Sequence, residues 1–464
     1  MTLSLELASR IHAFDTKRVG AELARAAKTA IVDTVGVTLL GAGDESTRIL
    51  ADTPGVAGAP GTCVVIGAAI RRSPLDAALL NGVASHAHDF DDFSREFGGH
   101  PSVPVLPALF AVSERGDVSG ADLIAAYVVG VETETRIAGG VHFHHYEKGW
   151  HPTATLGIFG AVAGCARLMG LDERQTATAL CIATSLSSGI KANFGTMTKP
   201  LHVGHCARNG VLAALLAERG FNAKLDAFEA PQGFLNVFND PGRFDAVGML
   251  QDWYDPPVVS EPGISIKQFP CCGSTHPAIY AALELERDHD FDAADVAGVE
   301  IRAHPLRLPH TDNAAPGDPL EAKFSIQYCV ARALLSGGVS LADFDSGRIH
   351  DPQVRRLMGL TRVIADADTA GMQIDPFGAA VSVGLSDGRR LEIHVAQRAG
   401  RGAANPMTNK ELRAKFEDCA RRVFSSAERA ALWDLLWRLE ALTDVRELTQ
   451  AMALSSAPAL ASKG

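Results

Sequence analysis

The chain has 464 residues, 47% of them hydrophobic and 21% charged, a balance that fills a large core and excludes disordered and fibrous classes. Lys and Arg number 43 against 54 Asp and Glu, a net charge of −11, which argues against a nucleic-acid or anionic-membrane surface. Aromatic residues make up only 6% while alanine and glycine abound, which favours close-packed helices over an all-β sandwich.

The N-terminal stretch MTLSLELASRIHAF carries Glu6 and Arg10 within an apolar pattern and lacks a signal-peptide layout, so a first amphipathic helix is expected there. No segment reaches the roughly eighteen uninterrupted apolar residues of a membrane span. Residues 19–42 are apolar at helical spacing and run out at Gly41 and Gly43. A short strand-like island, TCVVIG, occupies 62–67. An Ala/Leu-rich helical stretch follows and ends in the acidic run from His86 to Asp92. Residues 172–189 open on Asp172 and Gln175, an approximate capping box, and residues 200–219 are helical up to Gly220.

The texture changes near Pro262. VAGVEIRA (296–303) reads as a strand and 379–397 as a hairpin turning at SDG, with helical patterns at 322–336 and 351–359. After the loop at 400–406, ELRAKFEDCARRVF and ERAALWDLLWRLEAL return to helix, and the last eight residues, APALASKG, are expected to fray. The expectation is a mostly α protein: a helical domain over 1–262, a smaller α+β domain over 263–398, and a helical tail over 399–464 packing back on the first. Eight cysteines without a CxxC or a secreted-style spacing point to free thiols and a cytoplasmic home.

Nine of the sixteen histidines lie between His86 and His205, which composition alone does not explain. A titratable residue followed by proline at the start of a helical pattern recurs at His100, His151, Lys199 and His276. Proline suits the first helical position, and the residue before it is pushed toward the extended form of an N-cap. Each such side chain would sit at the positive end of a helix dipole, and several ends converging make a pocket suited to carboxylates. The plainer alternative is a set of ordinary helix starts with solvated caps.

In the acidic run, Asp89 and Asp92 are three apart and would share a helix face, with Asp91 pointing elsewhere. One of that pair would orient a catalytic His or Lys, or act as a base. A metal reading draws on His86, His88, His100 and the carboxylates, but histidines two apart diverge on a helix, so no metal is expected. The stretch from His142 to His151 is rich in groups that exchange protons. Its Tyr146 is either a general acid or carboxylate ligand, or a solvated surface phenol. Lys199, amid small hydroxyls and an amide, sits against a helix dipole, unusual for structure and natural for a lowered pKa or an anion clamp. A last cluster runs from Lys267 through Cys271 and Cys272 to His276 and Pro277; the adjacent cysteines suit neither a metal pair nor a disulfide. Dinucleotide, phosphate-loop and GxSxG fingerprints are all missing, so any chemistry would run on His, Asp, Lys and Tyr without a cofactor.

The segments NGVASHAHDFDD (81–92), GGHPSVPVLPALFAVSE (98–114), GWHPTATLGIFGA (149–161), NFGTMTKPLHVG (193–204), FPCCGSTHPAI (269–279) and EAKFSIQY (321–328) resemble the MmgE/PrpD, or 2-methylcitrate dehydratase, superfamily, in that family's order. The resemblance implies a helical domain built from both chain ends, an inserted α+β domain, a homodimer and cofactor-free chemistry on small di- or tricarboxylates. Members include 2-methylcitrate dehydratases, cis-aconitate decarboxylases and iminodisuccinate epimerases. By motif, the family's active-site positions fall on Asp89, His100, His151, Lys199 and Lys267. The chain departs from the decarboxylase pattern at Phe93, where that branch has Thr, and at Cys272, where it has His.

The shared step would be removal of a proton α to a carboxylate, with the resulting charge stabilised by cations and donors. Lys199 and Lys267 are expected to hold carboxylates, with Tyr146, Cys272 and His276 as further substrate contacts. His151 or Lys199 would be the base, Asp89 would orient His100, and His100 or Tyr146 would be the acid. The leading expectation is a dehydratase-like hydro-lyase; an epimerase, a decarboxylase, a metal-dependent hydrolase and a non-catalytic helical scaffold are the alternatives.

Overall fold

The computed structural model describes residues 1–141, 143–366, 378–396 and 401–454, and the backbone of 368, 369, 372 and 373. His142, Gln397 at the end of the expected hairpin, Gly400 and the APALASKG tail lie outside the described residues.

Helices dominate. The first two expected helices form as Leu3–His12 and Ala21–Gly41. The Asp172 capping box is complete: Gln175 N–H donates to Asp172 Oδ1 (2.7 Å) and Asp172 N–H to Gln175 Oε1 (3.0 Å), which fixes the start of Glu173–Thr184. The island at 62–67 shrinks to a two-residue ladder, Cys63–Val64 against Arg71–Arg72. Among the described residues no helix is long and apolar enough to cross a membrane.

One four-stranded sheet forms, with Val296–Ala303 between Thr361–Ala365, parallel to it, and Ala379–Leu385, antiparallel to it. Ala379–Leu385 then pairs with Arg390–Val395 as the expected hairpin, with Gly388 at φ 90° in its turn. Thr361–Ala365 escapes sequence reading because a parallel strand is reached by a crossover and leaves no turn signal. Apolar packing falls into two main clusters. One joins residues from 3 to 266 with 412 to 452, and the other gathers residues from 269 to 395. In the first, the Asn409–Ala420 helix lies on Ala21–Gly41, where Gly36 faces the Phe416 ring.

Two glycines position the site. A Cβ on Gly82 would stand 2.6 Å from Gly204 Cα, so the Pro74–His86 and Thr198–Glu218 helices cross backbone to backbone. That approach brings Lys199, in the first turn of the second helix, over the loop that leaves the first at His86.

Candidate active site

The acidic run is not helical, as the i,i+3 reading required. Its helix stops at His86, and the chain turns through Asp89, whose φ of 52° lies in the left-handed region that Asp tolerates better than most residues. The turn reverses the expected pairing. Asp91 faces inward: its Oδ2 lies 2.7 Å from His86 Nδ1 and 3.0 Å from His100 Nδ1. Asp92 turns away to the Ser102 hydroxyl, which also meets Tyr127 Oη at 2.6 Å, and to the N–H of Ser102 at 3.3 Å. Asp92 thus holds the first residue of the Ser102–Ser113 helix. Burial and the nearby Asp33 push its carboxyl well above the usual range.

Asp89 is the centre of charge. Its Oδ1 accepts from Lys199 Nζ (2.7 Å) and Lys267 Nζ (3.0 Å), and Lys267 also donates to the Asp89 carbonyl (2.8 Å). Burial opposes ionisation of Asp89, but Lys199, Lys267 and the imidazoles of His100 and His86 outweigh it and hold the carboxyl well below its ordinary value. Lys267 belongs to a short extended segment. Ser265 exchanges backbone hydrogen bonds with Phe93 (2.8 Å each), and Ile266 with Arg401 (3.1 and 2.8 Å). Lys415, from the Asn409–Ala420 helix, donates to the carbonyls of Phe90 (2.7 Å) and Lys267 (2.9 Å) and pairs with Asp33 (2.6 Å).

Beside these groups opens a narrow cleft whose walls include Asp89, His100, Tyr146, His151, Lys199 and Cys272. His100 Nε2 lies 3.5 Å from Asp89 Oδ1, while its Nδ1 also meets the Asp92 carbonyl at 2.7 Å. His151 is the extended N-cap of the short Pro152–Thr155 helix, as the His-Pro reading expects, and its N–H donates to the Gly189 carbonyl (3.1 Å). Burial first, then the charges of His86 and Lys199, push His151 well below the usual imidazole range, so it is neutral at pH 7. Burial raises the Tyr146 phenol and the Cys272 thiol, which keeps both protonated.

The N-cap expectation fails at the other positions. Pro101, not His100, caps its helix; Lys199 and His276 lie inside theirs, the helix overriding the bias of a pre-proline residue. His276 is fully buried behind the site, its Nε2 3.3 Å from the Cys271 carbonyl and its ring against Phe269, and it does not line the cleft. Lys267 is likewise fully buried and reaches the cleft only through Asp89. Asp91, not Asp89, makes the closer contact to His100.

Sequence reading missed Arg307, His310, Ser274, Phe194 and Phe324, all on the cleft wall. Ser274 Oγ is 3.2 Å from His310 Nε2, and Arg307 and Lys191 lie over the Tyr146 ring, 5.5 and 3.4 Å from its centroid. One signal was available: the HPLRLPH segment (304–310) repeats the His-Pro pattern at His304.

His86, Asp89, Asp91 and His100 present ligand atoms within 4.8 Å of one another, the dimensions of a cation site. Their charges are already matched, since two ammonium groups contact Asp89 and two imidazole nitrogens contact Asp91. His88, a member of the metal reading, instead meets Lys323 Nζ at 3.0 Å through its Nδ1.

Residues 5–246 match the MmgE/PrpD N-terminal domain and residues 269–440 the MmgE/PrpD C-terminal domain, and the chain belongs to the MmgE/PrpD family. It is 29% identical to the human cis-aconitate decarboxylase over 99% of this chain and 96% of that protein. It is 28% identical to the Aspergillus terreus cis-aconitate decarboxylase over 84% of each, and 26% identical to the 2-methylcitrate dehydratase of Cupriavidus necator over 72% of this chain and 73% of that protein. These relatives are lyases, and the chain is an enzyme of their type.

Proposed function

We propose that the protein is a lyase that removes a proton α to a carboxylate of a small di- or tricarboxylate and expels a β-hydroxyl, in the manner of a 2-methylcitrate dehydratase. The observation that carries this reading is a buried cleft that sets a neutral imidazole, His151, among cations, beside a second imidazole, His100, whose two nitrogens face carboxylates. An α-proton is weakly acidic, and the enolate-like charge left by its removal needs fixed positive groups. Lys199 and Arg307 clamp the substrate carboxylates, His151 takes the proton through Nε2, and His100, flanked by Asp89 and Asp91, delivers one to the departing hydroxyl. Lys199, already ion-paired at 2.7 Å, suits a clamp better than a base. Tyr146 and Cys272 are donors on the wall, and Lys267 holds Asp89 in place.

Decarboxylation is a second reading, favoured by 29% identity over 99% of the chain. Against it stand Phe93 and Cys272, the two departures from the decarboxylase pattern, since both line the cleft and place a ring and a thiol where that branch has hydroxyl and imidazole. The same reading takes the two apolar clusters as two domains, 1–262 with 399–464 and 263–398, in a cytoplasmic homodimer; sedimentation equilibrium tests the dimer.

The test is incubation in D₂O with 2-methylcitrate, citrate, cis-aconitate and an imino-dicarboxylate, followed by proton NMR and CO₂ release. Water loss with α-deuteration supports the hydro-lyase. CO₂ release selects the decarboxylase, inversion without loss selects an epimerase, and no change with any acid overturns the proposal.

A further inference from the structure

Resting on His151 as the proton-abstracting base, we infer that His202 is the relay that carries a proton equivalent from His151 to solvent while substrate fills the cleft. His202 does not line the cleft; it lies behind His151, its Nδ1 3.3 Å from His151 Nδ1. The two rings are 5.5 Å apart at a tilt of 58°. His151 is buried, whereas His202 is only partly buried, and one turn further along the same helix His205 is exposed. The imidazoles therefore step from the cleft to the surface.

The packing keeps this contact open. Gly189 has φ 128°, and a Cβ there would stand 3.2 Å from His202 Cγ and 3.3 Å from both His202 Nδ1 and Ala154 Cβ. The same Gly189 holds the His151 N–H through its carbonyl. A contact between two Nδ1 atoms needs one of them protonated and the other bare. Burial, then Lys199 and His205, push His202 down to about 4, so it rests neutral and can accept. With the shared proton on His151, Nε2 of His151 is left as a lone pair, the tautomer a base requires.

The step then balances. His151 Nε2 takes the α-proton while the C–H electron pair stays on the substrate, His151 Nδ1–H passes to His202 Nδ1, and His202 Nε2–H goes to water. After product leaves, His202 Nε2 takes a proton from water and hands its Nδ1 proton to His151, which then loses its Nε2 proton to water in the open cleft, restoring both tautomers.

Histidine ¹⁵N NMR of the ligand-free protein reads the resting state without any substrate. His151 protonated at Nδ1 and bare at Nε2 is expected, and the reverse tautomer overturns the relay. Kinetically, His202→Ala is compared with the native enzyme on whichever of 2-methylcitrate, citrate and cis-aconitate turns over fastest. A drop of at least tenfold in dilute buffer, recovered as free imidazole is added, is expected, because a small base replaces the missing carrier. A loss that imidazole does not restore, or no loss, overturns it. His151→Gln separates the two proposals: if it is inactive while His202→Ala is indifferent to imidazole, only the relay falls, and if it keeps full α-proton exchange, the base assignment itself falls.

Discussion

Asp91→Asn tests the site at the residue whose role the fold reverses. Asp91 is fully buried, and one of its oxygens serves both His86 Nδ1 (2.7 Å) and His100 Nδ1 (3.0 Å). Burial opposes its charge, but His100 and His86 hold it well below the ordinary carboxylate range, so the ionised form is the working one. Asn removes the charge and sets an amide against two imidazole donors. A hydrogen bond to a charged group is worth about 1.5–3 kcal/mol. His100 keeps the Asp92 carbonyl at 2.7 Å, so its orientation is only partly lost. The net cost to the transition state is then about 3 kcal/mol, or roughly 10²-fold in kcat. The control is Asp92→Asn. Asp92 is equally buried, but its carboxyl is pushed up toward the neutral acid that Asn imitates, and its side chain meets Ser102 rather than an imidazole. Steady-state kinetics on the acid identified by the NMR panel, with thermal melts of both variants, decide the matter. If Asp91→Asn is no slower than Asp92→Asn, the Asp91–His100 pair does not serve catalysis.

Four further outcomes are expected. Lys199→Ala loses turnover by at least 10²-fold with an unchanged far-UV spectrum, and native kcat/KM would remove Lys199 from the chemistry. Arg307→Gln raises KM by tenfold or more with little change in kcat, because Arg307 lines the cleft beside Tyr146 and His310 and clamps substrate instead of moving a proton; a fall in kcat alone contradicts that role. Dialysis against EDTA leaves activity unchanged, since Lys199 and Lys267 already neutralise Asp89; loss of activity restored by one divalent ion would assign His86, Asp89, Asp91 and His100 to a metal. Acidification destabilises the fold. His86 and His145 are held near 4 by burial while the unfolded chain takes up protons near 6.5, so each costs about 2 kcal/mol at pH 5 relative to pH 7, to be read from urea midpoints at the two pH values.

The elements with local signatures were legible. The Asp172 capping box, the hairpin at SDG and the amphipathic N-terminal helix each rest on residues a few positions apart, and each forms. The clustering of histidines also pointed to one place, and Asp89, His100, Tyr146, His151, Lys199 and Cys272 do share a cleft. What failed depended on backbone direction. Extending the helix past His86 put Asp91 on the wrong side, because nothing in HAHDFDD announces a positive φ at Asp89. His276 carries the same His-Pro signature as His151 yet faces a core, since that signature reports the start of a helix and not what its first turn faces. Arg307 and His310 come from the other side of the cleft and meet Tyr146 and Ser274 through long-range packing.

Lys415 ties the Asn409–Ala420 helix to a cleft that this helix does not line. Its ammonium satisfies two buried carbonyls, those of Phe90 and Lys267, and ion-pairs with Asp33, so it joins the Asp89 loop, the segment after Pro262 and the Ala21–Gly41 helix at one atom. Buried ion pairs add little net stability, because desolvation offsets the attraction, but they penalise every arrangement that leaves one partner unpaired. A shift of either strand by one residue would strand a charge or a carbonyl without water. The contact thereby fixes the register of Phe90 against Lys267, and with it the 3.0 Å approach of Lys267 Nζ to Asp89. The Asn409–Ala420 helix thus braces the Asp89 loop from behind, through a residue more than three hundred positions from the loop it holds.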